Sequence, residues 1–158
     1  PYPDHNLDTY KMMMEFESSV AGLSDGGAHC GLICDASMPT WNIAHYTRDR
    51  VKGDKIPLEF LIRKQTKETA ETFGLMDRGQ IKEGYRADIN IIDHENLCVY
   101  KPEMVHDLPT GSRRIIQKAG GYIATIKSGV VTFKNDQATG ELPGIIIRGE
   151  RTLDSLSA

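Results

Sequence analysis

The chain lacks several things that would assign it quickly. It has no disulfide framework: the three cysteines, Cys30, Cys34 and Cys98, are an odd number without framework spacing. They read as reduced thiols of a cytoplasmic protein. Cys30 and Cys34 are too few and too isolated to make a zinc site alone. No His-x-His or His-Glu-x-x-His appears among the five histidines. No apolar run approaches the ~20 residues of a membrane helix, and no signal peptide is visible. A basic stripe is also missing. With 19 basic and 22 acidic residues the formal net charge is −3, which argues against a nucleic-acid partner. At 158 residues the chain is too short for a whole (β/α)₈ barrel, which takes about 250. Pro1 rather than methionine opens it, so processing or truncation is expected to have set its start.

What is present is a globular composition, 39% hydrophobic, that changes character near Gly74. The first part has an α/β pattern. A helix is expected from about Leu7 to Ser18, with Met12, Met13 and Met14 in its packing and Glu15 and Glu17 on its solvated face. The short run Val20-Ala21-Gly22-Leu23-Ser24 fits a buried parallel strand that Asp25-Gly26-Gly27 ends. Pro39 is able to start a helix carrying Trp41, Ile43, Ala44, His45 and Tyr46, which runs out before Gly53. Pro57 opens the clearest helix. Its apolar face is Leu58, Leu61, Ile62, Thr69, Ala70 and Phe73, and Gly74 is its C-terminal cap. This spacing puts Lys64, Lys67 and Glu68 in solvent and buries Phe73.

The second part reads as β. Residues 87–93 and 122–126 alternate like half-buried strands. Ser128-Gly129 should turn the latter into Val130-Val131-Thr132-Phe133 as a hairpin, and Asn135-Asp136 should turn the chain again. Ile115-Ile116 fits another short strand, and residues 139–158 an irregular tail.

Asp25 is the leading candidate for chemistry. A carboxylate at the C-terminal end of a parallel strand points where α/β folds build active sites. Two following glycines let backbone approach a ligand. Such a carboxylate can take a proton from water and return it to a leaving amine. The same residues also describe an aspartate that merely caps a turn before glycine. His29, four residues on, could line the same pocket, bind substrate or contact metal, or be an ordinary loop histidine. Trp41 fits either a pocket wall or a structural role.

The run Gly22-Leu23-Ser24-Asp25-Gly26-Gly27-Ala28-His29, followed by Ile33-Cys34-Asp35-Ala36-Ser37, resembles the last barrel strand and loop of N-acyl-D-amino-acid deacylases. These form the D-aminoacylase-like branch of the metal-dependent amidohydrolases. The resemblance continues at Pro57-Leu58-Glu59, Gly74-Leu75-Met76-Asp77-Arg78-Gly79, Gly84-Tyr85-Arg86-Ala87-Asp88-Ile89-Asn90, His106-Asp107-Leu108-Pro109 and Thr139-Gly140-Glu141-Leu142-Pro143-Gly144. It implies an α/β plus β fold: the last strand and helices of a (β/α)₈ TIM barrel in residues 1–76, joined to the C-terminal part of a small β-sandwich in residues 77–158.

The resemblance further implies a zinc-dependent enzyme that hydrolyses a non-peptide C–N bond, the amide of an N-acyl-D-amino acid. Asp25 matches the catalytic aspartate, and His29 falls in the same block. The family's zinc ligands have no counterpart here, so this chain alone is expected to be inactive and to need the preceding part of the enzyme, or self-association, as a partner. One departure concerns the loop from Cys30 through Trp41. It contains no Lys or Arg to grip a substrate carboxylate, where well-known D-aminoacylases carry a basic residue. The competing readings are a non-catalytic module for assembly or binding, and a hydantoinase-like cyclic amidohydrolase.

Overall fold

The computed structural model describes residues 5–22 and 29–149. Helix α1 spans Asp8–Glu15, shorter at both ends than the periodicity suggests. A 3₁₀ turn, Asp35–Ser37, leads into α2, Met38–Ala44, with Pro39 in its first turn. A wide π turn, His45–Asp49, prolongs it. The next helix runs through residues 58–72 in three pieces. These are α3 (Leu58–Arg63), a π turn (Lys64–Glu68) and α4 (Thr69–Thr72). Each π turn contains a threonine whose hydroxyl bonds the carbonyl four residues back. Thr47 donates to Ile43 O at 2.6 Å and Thr66 to Ile62 O at 2.7 Å. Such bonds compete with the helical ladder and loosen it. Gly74, at φ 68°, ends the helix in the left-handed conformation, where glycine carries no Cβ penalty.

The β part is antiparallel throughout the described residues. Strands β1 (Ile89–Ile92), β6 (Tyr122–Lys127), β7 (Val130–Lys134) and β8 (Gln137–Ala138) form one sheet in the order β1-β6-β7-β8. The pairs β2 (Cys98–Val99) with β5 (Ala119–Gly120), and β3 (Glu103–Val105) with β4 (Arg114–Ile116), stand as two-stranded ladders. The expected hairpin is present: Lys127 pairs with Val130 across Ser128 and Gly129. Both turn residues have positive φ, 52° and 81°, as a type I′ turn requires. Asn135 and Asp136 repeat this at 48° and 61°. Residues 139–149 form no regular element.

The core is small. Ile43, Ala44, Tyr46 and Leu61 from the helices, and Ile56 from the segment between them, close on Leu97, with Ile92 and Tyr122 against them. Polar contacts tie the same helix to the β part. Arg48 donates to the carbonyls of His94, Glu95 (2.9 Å) and Leu97 (2.7 Å). Thr40 and Tyr122 share a hydroxyl bond of 2.7 Å.

Three expectations are corrected. Phe73 is 69% exposed and Lys64 only 3%, the reverse of the single-face reading. A constant 3.6-residue period does not survive a π turn, which changes the angular position of everything after it. Met12 and Met13 are also exposed, at 65% and 52%. Of that trio only Met14 packs on the core, because one helix face cannot hold three consecutive residues.

Asp77 is fully buried. Burial alone would raise its pKa, but the hydrogen bonds and charges of Arg78 and Arg86 prevail and hold it at about 2. The folded value lies below the ordinary 3.8. Its contribution is therefore complete above about pH 4 and is lost as pH falls toward 2. The shift corresponds to about 2 kcal/mol. Asp88, bound by Lys127 and the Ser128 N–H, is lowered as well and adds in the same direction. Urea midpoints measured between pH 5 and pH 2 should fall steadily. A flat profile would contradict the arrangement.

Candidate active-site region

A cavity of about 660 Å³ lies between α1, residues 20–22, α2 and the 58–72 helix. Leu7, Tyr10 and Met14 form one wall, Met38, Pro39, Trp41 and Tyr46 another. Asn42, Gln65 and Thr69 supply its polar groups. Val20, Ala21 and Gly22 close it. Asp25 follows Gly22 by three residues and lies outside the described residues, as do Leu23 and Ser24 of the expected strand. Residues 20–22 themselves are not in a strand, and no parallel pairing occurs among the described residues.

His29 is exposed, and its carbonyl accepts from the N–H groups of Leu32 and Ile33, both at 2.8 Å. This turn anchors the loop, and the Ile115 N–H donates to Cys30 O at 2.6 Å beyond it. Trp41 does line the cavity, and it also stacks on His45 with ring centroids 4.5 Å apart. Tyr46 meets both rings edge-on. The His45 Nε2 is buried without a hydrogen-bond partner among the described residues. Burial first, then the nearby Arg50 charge, lowers its pKa against the opposing pull of Asp49. The shift favours the neutral imidazole. Arg50 is buried on the Tyr46 ring, 5.5 Å from its centroid, and pairs with Asp8.

Sequence reasoning missed the residues that hold the chain leading toward Asp25. Lys64 Nζ donates to Ser19 O at 2.9 Å and Phe16 O at 3.2 Å. Thr69 Oγ1 donates to Ala21 O at 2.7 Å. Periodicity placed Lys64 in solvent. Only the unbroken run Lys64-Gln65-Thr66, polar in mid-helix, could have hinted otherwise.

No group of three or more His, Cys, Asp or Glu side chains among the described residues could hold a metal. His94, for instance, is engaged by Thr47 at 2.7 Å. Zinc does not fit the residues described.

A family model described as "Amidohydrolase family" matches residues 3–133. The chain therefore belongs to the amidohydrolase family, whose members are generally metal-dependent hydrolases. Within it the chain is D-aminoacylase-like. It is 31% identical over 105 residues to a D-aminoacylase from Alcaligenes xylosoxydans xylosoxydans. The match covers 66% of this chain and 19% of the relative, so the chain spans about a fifth of that protein's length. No solved structure matches.

Proposed function

We propose that this chain is the C-terminal part of a zinc-dependent amidohydrolase that cleaves the amide of N-acyl-D-amino acids. The similarity to a D-aminoacylase carries the reading. In it, residues 1–76 complete a (β/α)₈ barrel and residues 77–158 belong to a small β-sandwich. The described helices and antiparallel sheets are compatible with that division.

Asp25 takes a proton from the attacking water as its oxygen bonds the amide carbon. It then gives a proton to the nitrogen as the C–N bond breaks, leaving a carboxylic acid and a free amino acid. Zinc in such enzymes lowers the pKa of a bound water, and its ligands are assigned to the remainder of the polypeptide. The apolar cavity ending at Gly22 and the exposed His29 turn flank this carboxylate in sequence. Three free thiols support a reducing, cytoplasmic setting.

The complete enzyme should hydrolyse a panel of N-acetyl-D-amino acids faster than their L-forms and faster than hydantoins. Preference for hydantoins would favour the cyclic-amide reading, and no turnover at all a non-catalytic module. The 158-residue chain with added zinc should release no amino acid, because water without a metal keeps a pKa near 15.7. Zinc-dependent turnover by this chain alone would overturn the assignment of ligands elsewhere.

A further inference from the structure

We infer that Ile145-Ile146-Ile147 is a docking strand, whose partner is a strand of the polypeptide outside this chain. The inference rests on the reading of this chain as part of a longer enzyme, and not on its substrate. The segment is anchored at its root. Thr139 N donates to Thr132 O at 2.9 Å and Thr139 Oγ1 to Val131 O at 2.8 Å, which holds it to β7. Beyond Gly140, at φ 92°, the pairing stops. Glu141 N still reaches Thr139 Oγ1 at 3.3 Å. Residues 142–149 make no backbone hydrogen bond among the described residues.

The side chains of this unpaired stretch do not suit water. Ile145 is 64% exposed, Ile146 80% and Ile147 38%. Single exposed apolar residues are ordinary, but three in succession are not. All three are β-branched, a side-chain type that fits a pleated strand. Successive side chains of a strand point to opposite faces, so the run offers apolar surface on both. Strands buried on both faces have this pattern, whereas a strand with one face in water alternates.

The occupant is a segment of the same polypeptide and not a second copy. The chain spans about a fifth of the related D-aminoacylase, so most of such an enzyme lies outside it. A partner joined through the chain acts at a high effective concentration. A three-residue strand is only about 10 Å long, far short of the roughly 1,200–2,000 Å² that a stable separate partner buries. Main-chain pairing supplies the contact, and pockets for the alternate isoleucines supply its register.

The test uses the complete enzyme with Ile146 replaced by a diazirine-bearing aliphatic residue, then irradiated. The expected product has the mass of one chain, with the link to a residue outside this chain. A product of doubled mass assigns the segment to a second copy and overturns the inference. So does a link within this chain, or quenching by water alone. In the unaltered enzyme the amides of Ile145, Ile146 and Ile147 should exchange about 100-fold or more slowly than in an unstructured peptide. Free exchange overturns the strand. Ile146→Pro removes a backbone donor and should release the protection of its neighbours, while Ile146→Val should keep it. If the proline variant does not fold, exchange in the unaltered enzyme and the cross-link decide. An enzyme that links Ile146 within one chain but cleaves no N-acetyl-D-amino acid refutes the substrate and leaves the docking strand. An active deacylase with freely exchanging amides does the reverse.

Discussion

Asp25→Asn in the complete enzyme should lose about 10²–10⁴ in kcat, the usual worth of general acid–base catalysis. The substitution keeps the size of the side chain and its ability to form a turn, and removes the base. Zinc content and melting temperature should therefore stay close to those of the unaltered enzyme. A residue that merely caps the turn predicts a different pattern, because Asn also forms such turns well: activity would survive, and any loss would follow instability. Measuring kcat, bound zinc and melting temperature on one preparation separates the two roles. Near-normal kcat would refute the catalytic assignment.

Asp77→Asn should destabilise the fold by about 3–5 kcal/mol, the cost of breaking a buried ion pair by removing one partner. The carboxylate has no exposure. Arg78 grips it as a fork, at 2.8 Å and 3.2 Å, and Arg86 adds a bond of 2.8 Å. An asparagine offers one oxygen where two are used, and turns an amide N–H₂ toward a guanidinium. Arg78 also reaches Asp88 at 3.4 Å, which Lys127 binds at 2.9 Å. Loss of Asp77 should thus loosen residues 77–88 from the β6–β7 hairpin. Chemical unfolding of the variant reads the loss. A change under about 1 kcal/mol, the usual scale of an exposed ion pair, would show that the network contributes little. At pH 2 the difference between variant and parent should narrow, since Asp77 titrates at about 2.

Much of the architecture was legible because it is set locally. The two hairpin turns need residues that tolerate positive φ, and Ser128-Gly129 and Asn135-Asp136 supply them. Gly74 stops its helix for the same steric reason. Pro39 sits in the first turn of α2, where its missing N–H costs no bond. Strands β1 and β6 announce themselves by alternation, and they pair antiparallel through Ile89 and Ile126. Asp25 stands out only through its block of family-like residues, and it lies outside the described residues.

What the sequence could not specify is which side chains the assembled chain would bury. Lys64, predicted in solvent, is enclosed because the carbonyls of Phe16 and Ser19 and the carboxylate of Glu68 satisfy its ammonium. Two of those partners lie more than forty positions away in the chain. Phe73, predicted buried, is exposed once the π turn at Lys64–Glu68 has broken the helical period. Backbone preferences of turns and caps act between neighbours in the chain, so the amino-acid order determined them. Burial of a charge depends on whether remote groups arrive to replace its lost water. Only the tertiary structure, by bringing residues 16–19 against the 58–72 helix, decided that.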